Sequence, residues 1–206
     1  GRYFYSKKNY EEAASTMKLY LTLPYTSIWG DDKSVTKKDV YHENVYIYQN
    51  ASFLSKNYTE VSAYKEITLS DTTYRCTYLE LLTLSAEALH DTTSYVAYLK
   101  EGLPYYAENP FFFTRLADYY TQQGNYETAL VLADSLLKND CLNLLLLEAK
   151  NLALLNLERF EEAIQASLYT LRLNDDAIET YFYIGAAYCN LANDIVLPTN
   201  FNSKEY

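Results

Sequence analysis

Glycine and proline are scarce in this sequence, with 5 glycines and 4 prolines among 206 residues. Both residue types interrupt helices and strands, so their scarcity indicates long elements joined by short turns. No apolar run reaches the roughly 18 residues that a membrane-spanning helix needs. The nearest, "CLNLLLLEAKNLALLNL" from Cys141 to Leu157, is broken by Glu148, Lys150 and three asparagines. The sequence predicts an all-α chain that does not insert into a membrane.

Basic residues are outnumbered, with 17 Lys and Arg against 27 Asp and Glu, a net charge of -10 and a pI of about 4.7. Nucleic-acid binding draws most of its affinity from Lys and Arg that displace counterions from phosphates. We therefore expect no nucleic-acid partner, and we interpret the negative charge as one that keeps the protein soluble.

Residues that carry catalysis or bind metal are also few. The two histidines, His42 and His90, have no cysteine or histidine at metal-ligand spacing, and no phosphate-binding or hydrolase motif is present. We expect no enzyme, metal or cofactor, a solvated His42 beside a loop, and His90 at the end of a helix. The three cysteines are expected to be buried free thiols. Free thiols and the lack of a signal peptide favour the cytoplasm, whereas a processed chain would be extracytoplasmic.

One helical pattern occurs three times, as "KNYEEAASTMKLYL" (8–21), "GNYETALVLADSLL" (124–137) and "ERFEEAIQASLYTL" (158–171). Ala129 and Ala163 hold the same place in their stretches, and the interval between them defines the period of the pattern. Ala13 precedes Ala129 by three such periods and a short surplus. The polar, aperiodic stretch "YTSIWGDDKSVTKKD" (25–39) accounts for the surplus as an inserted loop.

The period from Ala129 to Ala163, with two helices in it, resembles the tetratricopeptide repeat family, whose repeat is about 34 residues long. The residues that carry the resemblance in the clearest repeat are Leu116, Ala117, Tyr120, Gly124, Tyr126 and Ala129. The next repeat matches at Leu154, Phe160 and Ala163, with Lys150 and Asn151 in place of the large and small pair. The last matches at Tyr181, Ile184, Gly185 and Tyr188, and the first at Gly1, Phe4, Tyr10 and Ala13. The third repeat has its packing residues either at Leu81, Leu84, Ser85, Ala88 and Ala97 or one residue away.

The resemblance implies a right-handed superhelical solenoid of about five antiparallel helix pairs and a terminal helix. The expected divisions are a partial first repeat (1–24), the loop (25–39), divergent second (40–70) and third (71–108) repeats, fourth (109–140) and fifth (141–174) repeats, the first helix of a sixth (175–192) and a tail (193–206).

Proteins of this family bind partners in a concave groove lined by the first helix of each pair. Carried over by register, that groove predicts a set of partner-binding residues of aromatic, aliphatic, amide and acidic type: Tyr46, Asn50, Phe53, Thr114, Asp118, Thr121, Gln122, Glu148, Leu152, Leu155, Asn156, Phe182 and Asn190. None is Lys or Arg, and Asp118 and Glu148 repel a carboxylate. We therefore expect a scaffold for a protein or peptide partner that is helical and amphipathic, or extended and basic.

Three alternatives stay open. A helix that is apolar on every side is normally covered on every side. The leucine-rich fifth repeat therefore predicts either a groove or cover by a further helix, by a second copy of the chain, or by a segment outside this sequence. The 24 tyrosines, Trp29 and the amides also suit a carbohydrate or another small molecule. The chain is equally consistent with the repeat part of a larger multi-domain protein.

Overall fold

The computed structural model describes residues 1–23, 39–104 and 109–193. This part of the chain is helical and contains no strand. Its helices are α1 (Arg2–Ser6), α2 (Tyr10–Leu21), α3 (Asp39–Leu54), a 3-10 helix (Tyr58–Ser62), α4 (Lys65–Ser70), α5 (Arg75–Ala88), α6 (Thr92–Gly102), α7 (Pro110–Gln122), α8 (Tyr126–Leu137), α9 (Leu144–Asn156), α10 (Phe160–Leu173) and α11 (Ile178–Asn193).

The chain divides into two compact units, residues 1–113 and residues 114–206. In the first, α2 packs on α1 and α3, and α5 packs on α6. In the second, α9 packs on α8, α10 and α11, so neighbouring helices form the core in each unit. None of the helices described is long and apolar enough to cross a bilayer. Most of the predicted loop (25–39), including Trp29, and the tail from residue 194 lie outside the described residues.

The turns between paired helices confirm the period. Five residues have a positive φ between 56° and 68° in equivalent turns: Lys8, Lys56, His90, Gly124 and Glu158. The last four follow one another at the predicted period, and Lys8 precedes Lys56 by one period plus the predicted surplus. At each turn the residue with positive φ and the next one donate backbone hydrogen bonds of 2.8–3.1 Å to the end of the preceding helix. This left-handed cap closes a helix and redirects the chain.

The third repeat has a different register from the one predicted. His90 at the turn makes Leu82 and Thr83 equivalent to Leu116 and Ala117, two residues before the predicted pair Leu84 and Ser85. Leu81 and Leu84 are half-buried and Ala88 and Ala97 are exposed, although Ser85 is buried. The turn at His90 agrees with neither the predicted register nor its one-residue alternative. Leucines occupy two adjacent faces of α5. The apolar pattern alone therefore does not show which register of the repeat is correct.

The second repeat lacks a continuous second helix, because the chain breaks between the 3-10 helix and α4. Tyr64 has a φ of 61° at the break. The buried Tyr78 hydroxyl donates to the Val61 carbonyl at 2.8 Å, and Gln49 Nε2 donates to the Ala63 carbonyl at 2.7 Å. Side chains from α3 and α5 thus satisfy two carbonyls that an unbroken helix would pair internally.

Buried polar pairs replace small residues in two repeats. Thr68 Oγ1 donates to Gln49 Oε1 at 2.7 Å, and Asn151 Nδ2 donates to Thr170 Oγ1 at 3.1 Å. All four residues are at most 1% exposed. Gln49 and Asn151 are the counterparts of Ala117, and each meets the threonine 19 residues further on. The amide that interrupts the family pattern therefore bonds to the second helix of its own repeat.

Two expectations about reactive side chains are wrong. His42 is not solvated, because its Nδ1 lies 2.8 Å from Asp71 Oδ2 with both side chains largely buried. Burial alone would raise the pKa of Asp71, but hydrogen bonds from His42 and Thr73 hold that pKa below its usual value. The cysteines are free thiols as expected, yet Cys141 and Cys189 are exposed, and only Cys76 is half-buried.

Candidate functional site

The α9–α11 surface, defined by Glu148, Leu152 and Leu155 on α9 and Glu179, Phe182 and Tyr183 on α11, is the candidate site. Spacings of four and three place Glu148, Leu152 and Leu155 on one side of α9, and on α11 Glu179 lies three residues before Phe182 and four before Tyr183. The two helices pack directly against each other within the second unit. Four of the six residues belong to the predicted groove: Glu148, Leu152, Leu155 and Phe182.

Negative charge is concentrated at this surface. Glu148 is half-buried, and burial followed by repulsion from Glu179 raises the pKa of its carboxyl. Burial, Glu148 and Glu179 together raise the pKa of the Tyr183 hydroxyl. Lys150 lies two residues away from Glu148 but pairs with Asp134 of α8, with Nζ 2.7 Å from Oδ1. A cation placed between the carboxylates would relieve their repulsion.

Apolar side chains lie on the same two helices as these acids. Phe182 is 69% exposed, although its ring contacts the Tyr183 ring edge-on at a centroid distance of 6.2 Å. Leu152 and Leu155 are half-buried. Exposed aromatic rings and partly covered leucines are typical of surfaces that bury apolar side chains on binding.

Two predicted amides bond to their own helices. Asn156 Nδ2 donates to the Leu152 carbonyl at 2.8 Å, and Asn190 Nδ2 donates to the Ala186 carbonyl at 2.9 Å. Both residues are exposed. Each bond uses one of the two N–H donors, so a partner could still bond to the second N–H and to the side-chain oxygen.

The four predicted residues of α7 differ in their exposure. Asp118 and Gln122 are exposed, whereas Thr114 and Thr121 are half-buried. Their contribution to binding stays a prediction.

The three predicted residues of the first unit pack within it. Tyr46 stacks on Tyr74 with ring centroids 4.7 Å apart, and Asn50 Nδ2 donates to the Tyr46 hydroxyl at 3.3 Å. Phe53 meets Tyr58 edge-on at 5.6 Å. All three predicted residues are half-buried, and these contacts hold α3 against its neighbours rather than leaving the rings free.

Sequence reasoning missed Glu179 and Tyr183. Both could have been found from their position in the sequence, because Glu179 lies three residues and Tyr183 one residue from the predicted Phe182. Their approach to Glu148, however, depends on how α11 packs against α9, which the register of one repeat does not give.

The second unit also contains an apolar pocket of about 600 Å³ on a different side of α9. Its lining includes Leu137, Leu147, Leu154 and Tyr169, and it shares no residue with the α9–α11 surface.

In the first unit, His42 and Asp71 line a pocket of about 530 Å³ that also contains Ser70. Ser70 Oγ donates to the Ile67 carbonyl at 2.7 Å rather than to the imidazole. The described residues therefore do not form a serine, histidine and aspartate relay here. They also contain no cluster of three potential metal ligands.

Comparison with solved structures shows the fold. MamA of AMB-1, a protein that contains tetratricopeptide repeats, superposes with a TM-score of 0.53 over 75% of this chain and 85% of its own, at 18% identity. The chain has a tetratricopeptide-like helical repeat fold. No family model matches the sequence, and no curated protein matches it either.

Proposed function

We propose that the protein is an interaction scaffold whose α9–α11 surface binds a peptide or helix of a protein partner. The observation that carries this proposal is the half-buried Glu148, whose carboxyl lies beside Glu179 and has its pKa raised by burial and by that neighbour. Repelling carboxylates on an open surface are a cost to the free protein that a cationic partner removes.

The charges and apolar groups of the surface support one chemistry for the partner segment. A Lys or Arg would approach Glu148 and Glu179, and an aliphatic side chain near it would cover Phe182 and the leucines. Charged pairs of this kind set specificity and association rate, while the apolar contact provides most of the affinity. The segment is therefore basic and apolar, in agreement with the lack of Lys and Arg among the predicted groove residues.

The test uses a pool of 15-residue peptides, each with two leucines and one charged position. Every peptide is made in two versions, one with Lys and one with Glu at the charged position. Lys versions should bind about tenfold more tightly than Glu versions in fluorescence anisotropy, equivalent to roughly 1.4 kcal/mol. Glu148→Gln should remove most of that difference. Val131→Ala, at an exposed position of α8 outside the surface, is the matched control and should behave as wild type. Equal binding of both versions would overturn the proposal.

A further inference from the structure

The apolar pocket of the second unit lies against three successive helices, α8, α9 and α10. Leu147 and Leu154 of α9, both buried, line it together with Leu137 of α8 and with Ala166 and Tyr169 of α10. Its volume is about 600 Å³. Small-molecule sites are typically apolar clefts of roughly 300–1,000 Å³ with a few polar groups. The pocket therefore has the size and the lining of a site for one small organic molecule.

The volume also limits what can enter. One turn of an α-helix, about 10 Å wide and 5.4 Å long, already fills roughly 400 Å³. The pocket thus has no room for the two or more turns over which an amphipathic helix makes its contacts. A compact molecule suits it better than a helix of a partner.

The cations near the pocket are already paired with acids. Lys150 lines the pocket, and its Nζ lies 2.7 Å from Asp134 Oδ1. Arg159 donates two hydrogen bonds, of 2.7 and 2.8 Å, to the carboxylate of Glu162, which also lines the pocket. Arg159, and after it Lys150, lower the pKa of the Glu162 carboxyl. Neither cation is therefore left to bind an anionic ligand.

Glu161 supplies a carboxylate that these pairs do not neutralise. It lines the pocket, is exposed, and has no hydrogen bond or ion pair with any residue that the structure describes. Its place in the first turn of α10 favours the ionised form. Gln165 and Tyr169 follow at spacings of four on the same side of α10, and both line the pocket. One wall of the pocket thus carries a carboxylate, an amide and an aromatic ring.

We propose that this pocket binds a small organic cation, an apolar ring system or branched chain that carries one ammonium group. The apolar part packs between the leucines and Ala166. The ammonium group donates hydrogen bonds to Glu161 and lies near the Tyr169 ring, because the face of an aromatic ring attracts cations. This site is separate from the α9–α11 surface and does not depend on the function proposed for it.

Three probes with the same apolar body test the charge of the ligand: diphenylpropylamine, diphenylpropanol and diphenylpropanoate. In isothermal titration calorimetry near neutral pH, the amine should bind the full chain with a Kd below about 1 mM. The alcohol should bind about fivefold more weakly, the effect of one exposed ion pair, and the acid more weakly than the alcohol. No saturable binding of the amine, or equal binding of all three probes, would overturn the proposal.

Two cysteines locate the bound amine. Cys141 lines the pocket, and its thiol is free and exposed. Cys189 is also free and exposed, but it follows Phe182 by seven residues and so lies on the same side of α11 as that ring. Saturating amine should slow the alkylation of Cys141 by iodoacetamide severalfold, as measured by mass spectrometry, and leave that of Cys189 unchanged. Unchanged alkylation of Cys141 would overturn the proposal, and protection of Cys189 alone would assign the amine to the α9–α11 surface.

Glu161→Gln is the decisive variant, because it removes the charge and keeps the size of an exposed side chain. It should weaken binding of the amine about fivefold and leave binding of the alcohol unchanged. Glu11→Gln, in the first turn of α2, is the matched control and should bind the amine as the wild type does. Glu148→Gln should also bind it as the wild type does. An unchanged affinity in Glu161→Gln, or an equal loss in Glu148→Gln, would contradict the proposal.

A double variant with Ile195→Asp and Leu197→Asp tests whether the tail of the chain occupies the pocket instead. Both substitutions place charges in the apolar part of the tail, which would be costly inside an apolar pocket. The double variant should bind the amine as the wild type does. A severalfold higher affinity would show that the tail competes for the pocket, and it would overturn the assignment to a small molecule.

Discussion

Single buried polar side chains determine how the helices of a repeat meet. Sequence comparison identified Asn151 as an exception to the family pattern, but it did not predict the bond to Thr170. That bond joins residues 19 apart, and it exists only because the two helices of the repeat are antiparallel. Asn151 Oδ1 has no hydrogen-bond partner in the described part of the chain, so the pair is only partly satisfied.

Thr68→Val tests the equivalent pair in the second repeat. Valine keeps the shape of threonine but leaves the buried Gln49 Oε1 without its donor, and the free energy of unfolding in urea should fall by about 1 to 3 kcal/mol. Thr83→Val is the matched control at a buried position. The Thr83 hydroxyl donates to the Leu79 carbonyl of its own helix, which keeps its backbone partner, so the loss should be smaller. Equal losses would refute the role of the pair.

Glu60 should contribute to stability against acid. Hydrogen bonds from Lys18 and then from the Tyr48 hydroxyl lower the pKa of its carboxyl. A folded-state pKa below the unfolded value stabilises the protein at pH above the unfolded pKa, and this contribution is lost as the pH falls through the folded pKa. Between about pH 5 and pH 3, Glu60→Gln should therefore flatten the fall of the urea midpoint. Glu101→Gln, at an exposed position of α6, should retain the wild-type slope, and identical slopes in all three proteins would contradict this explanation.

At the scale of helices, the start of α7 is encoded by two adjacent residues. Pro110 begins α7, and Asn109 Oδ1 accepts a hydrogen bond from the Phe111 amide at 3.0 Å. The broken second helix of the second repeat was not predictable in the same way. The groups that satisfy its carbonyls, Gln49 and Tyr78, are 14 and 17 residues distant in sequence.

The repeated turn allows a paired test of its backbone conformation. A residue other than glycine in the left-handed region costs roughly 1 to 2 kcal/mol, and glycine avoids most of this cost. Glu158→Gly should therefore raise the free energy of unfolding by about 0.5 to 1 kcal/mol, whereas Gly124→Ala at the equivalent turn should lower it by about 1 kcal/mol. Urea unfolding of both variants measures the pair. Changes of the same sign would contradict the common turn geometry.

At the scale of the whole molecule, the period and the all-α class followed from the sequence because small residues and turns recur at fixed spacing. The candidate site could be predicted from the sequence only in part. Register placed Glu148, Leu152, Leu155 and Phe182 on the first helices of their repeats, but the acidic character of the surface depends on the packing of α11 against α9. The rings predicted in the first unit, such as Tyr46, were instead found in contacts within that unit.

Binding at the α9–α11 surface should depend on pH. Burial and Glu179 raise the pKa of Glu148, and a bound cation favours its charged form. The affinity for a Lys-containing peptide should therefore weaken as the pH falls through that raised pKa, and Glu148→Gln should show a shallower dependence in anisotropy titrations. A wild-type affinity that is constant from about pH 7 to pH 4 would contradict this assignment.

The most direct test of the central claim is selection from a random peptide library displayed on phage, with the full chain as bait. The account predicts enriched peptides that combine Lys or Arg with aliphatic residues and that lose binding when the bait carries both Glu148→Gln and Phe182→Ala. A bait with Val131→Ala should retain them. Enrichment of acidic peptides, or retention of the same peptides by the double variant, would show that the α9–α11 surface does not bind partners in the proposed way.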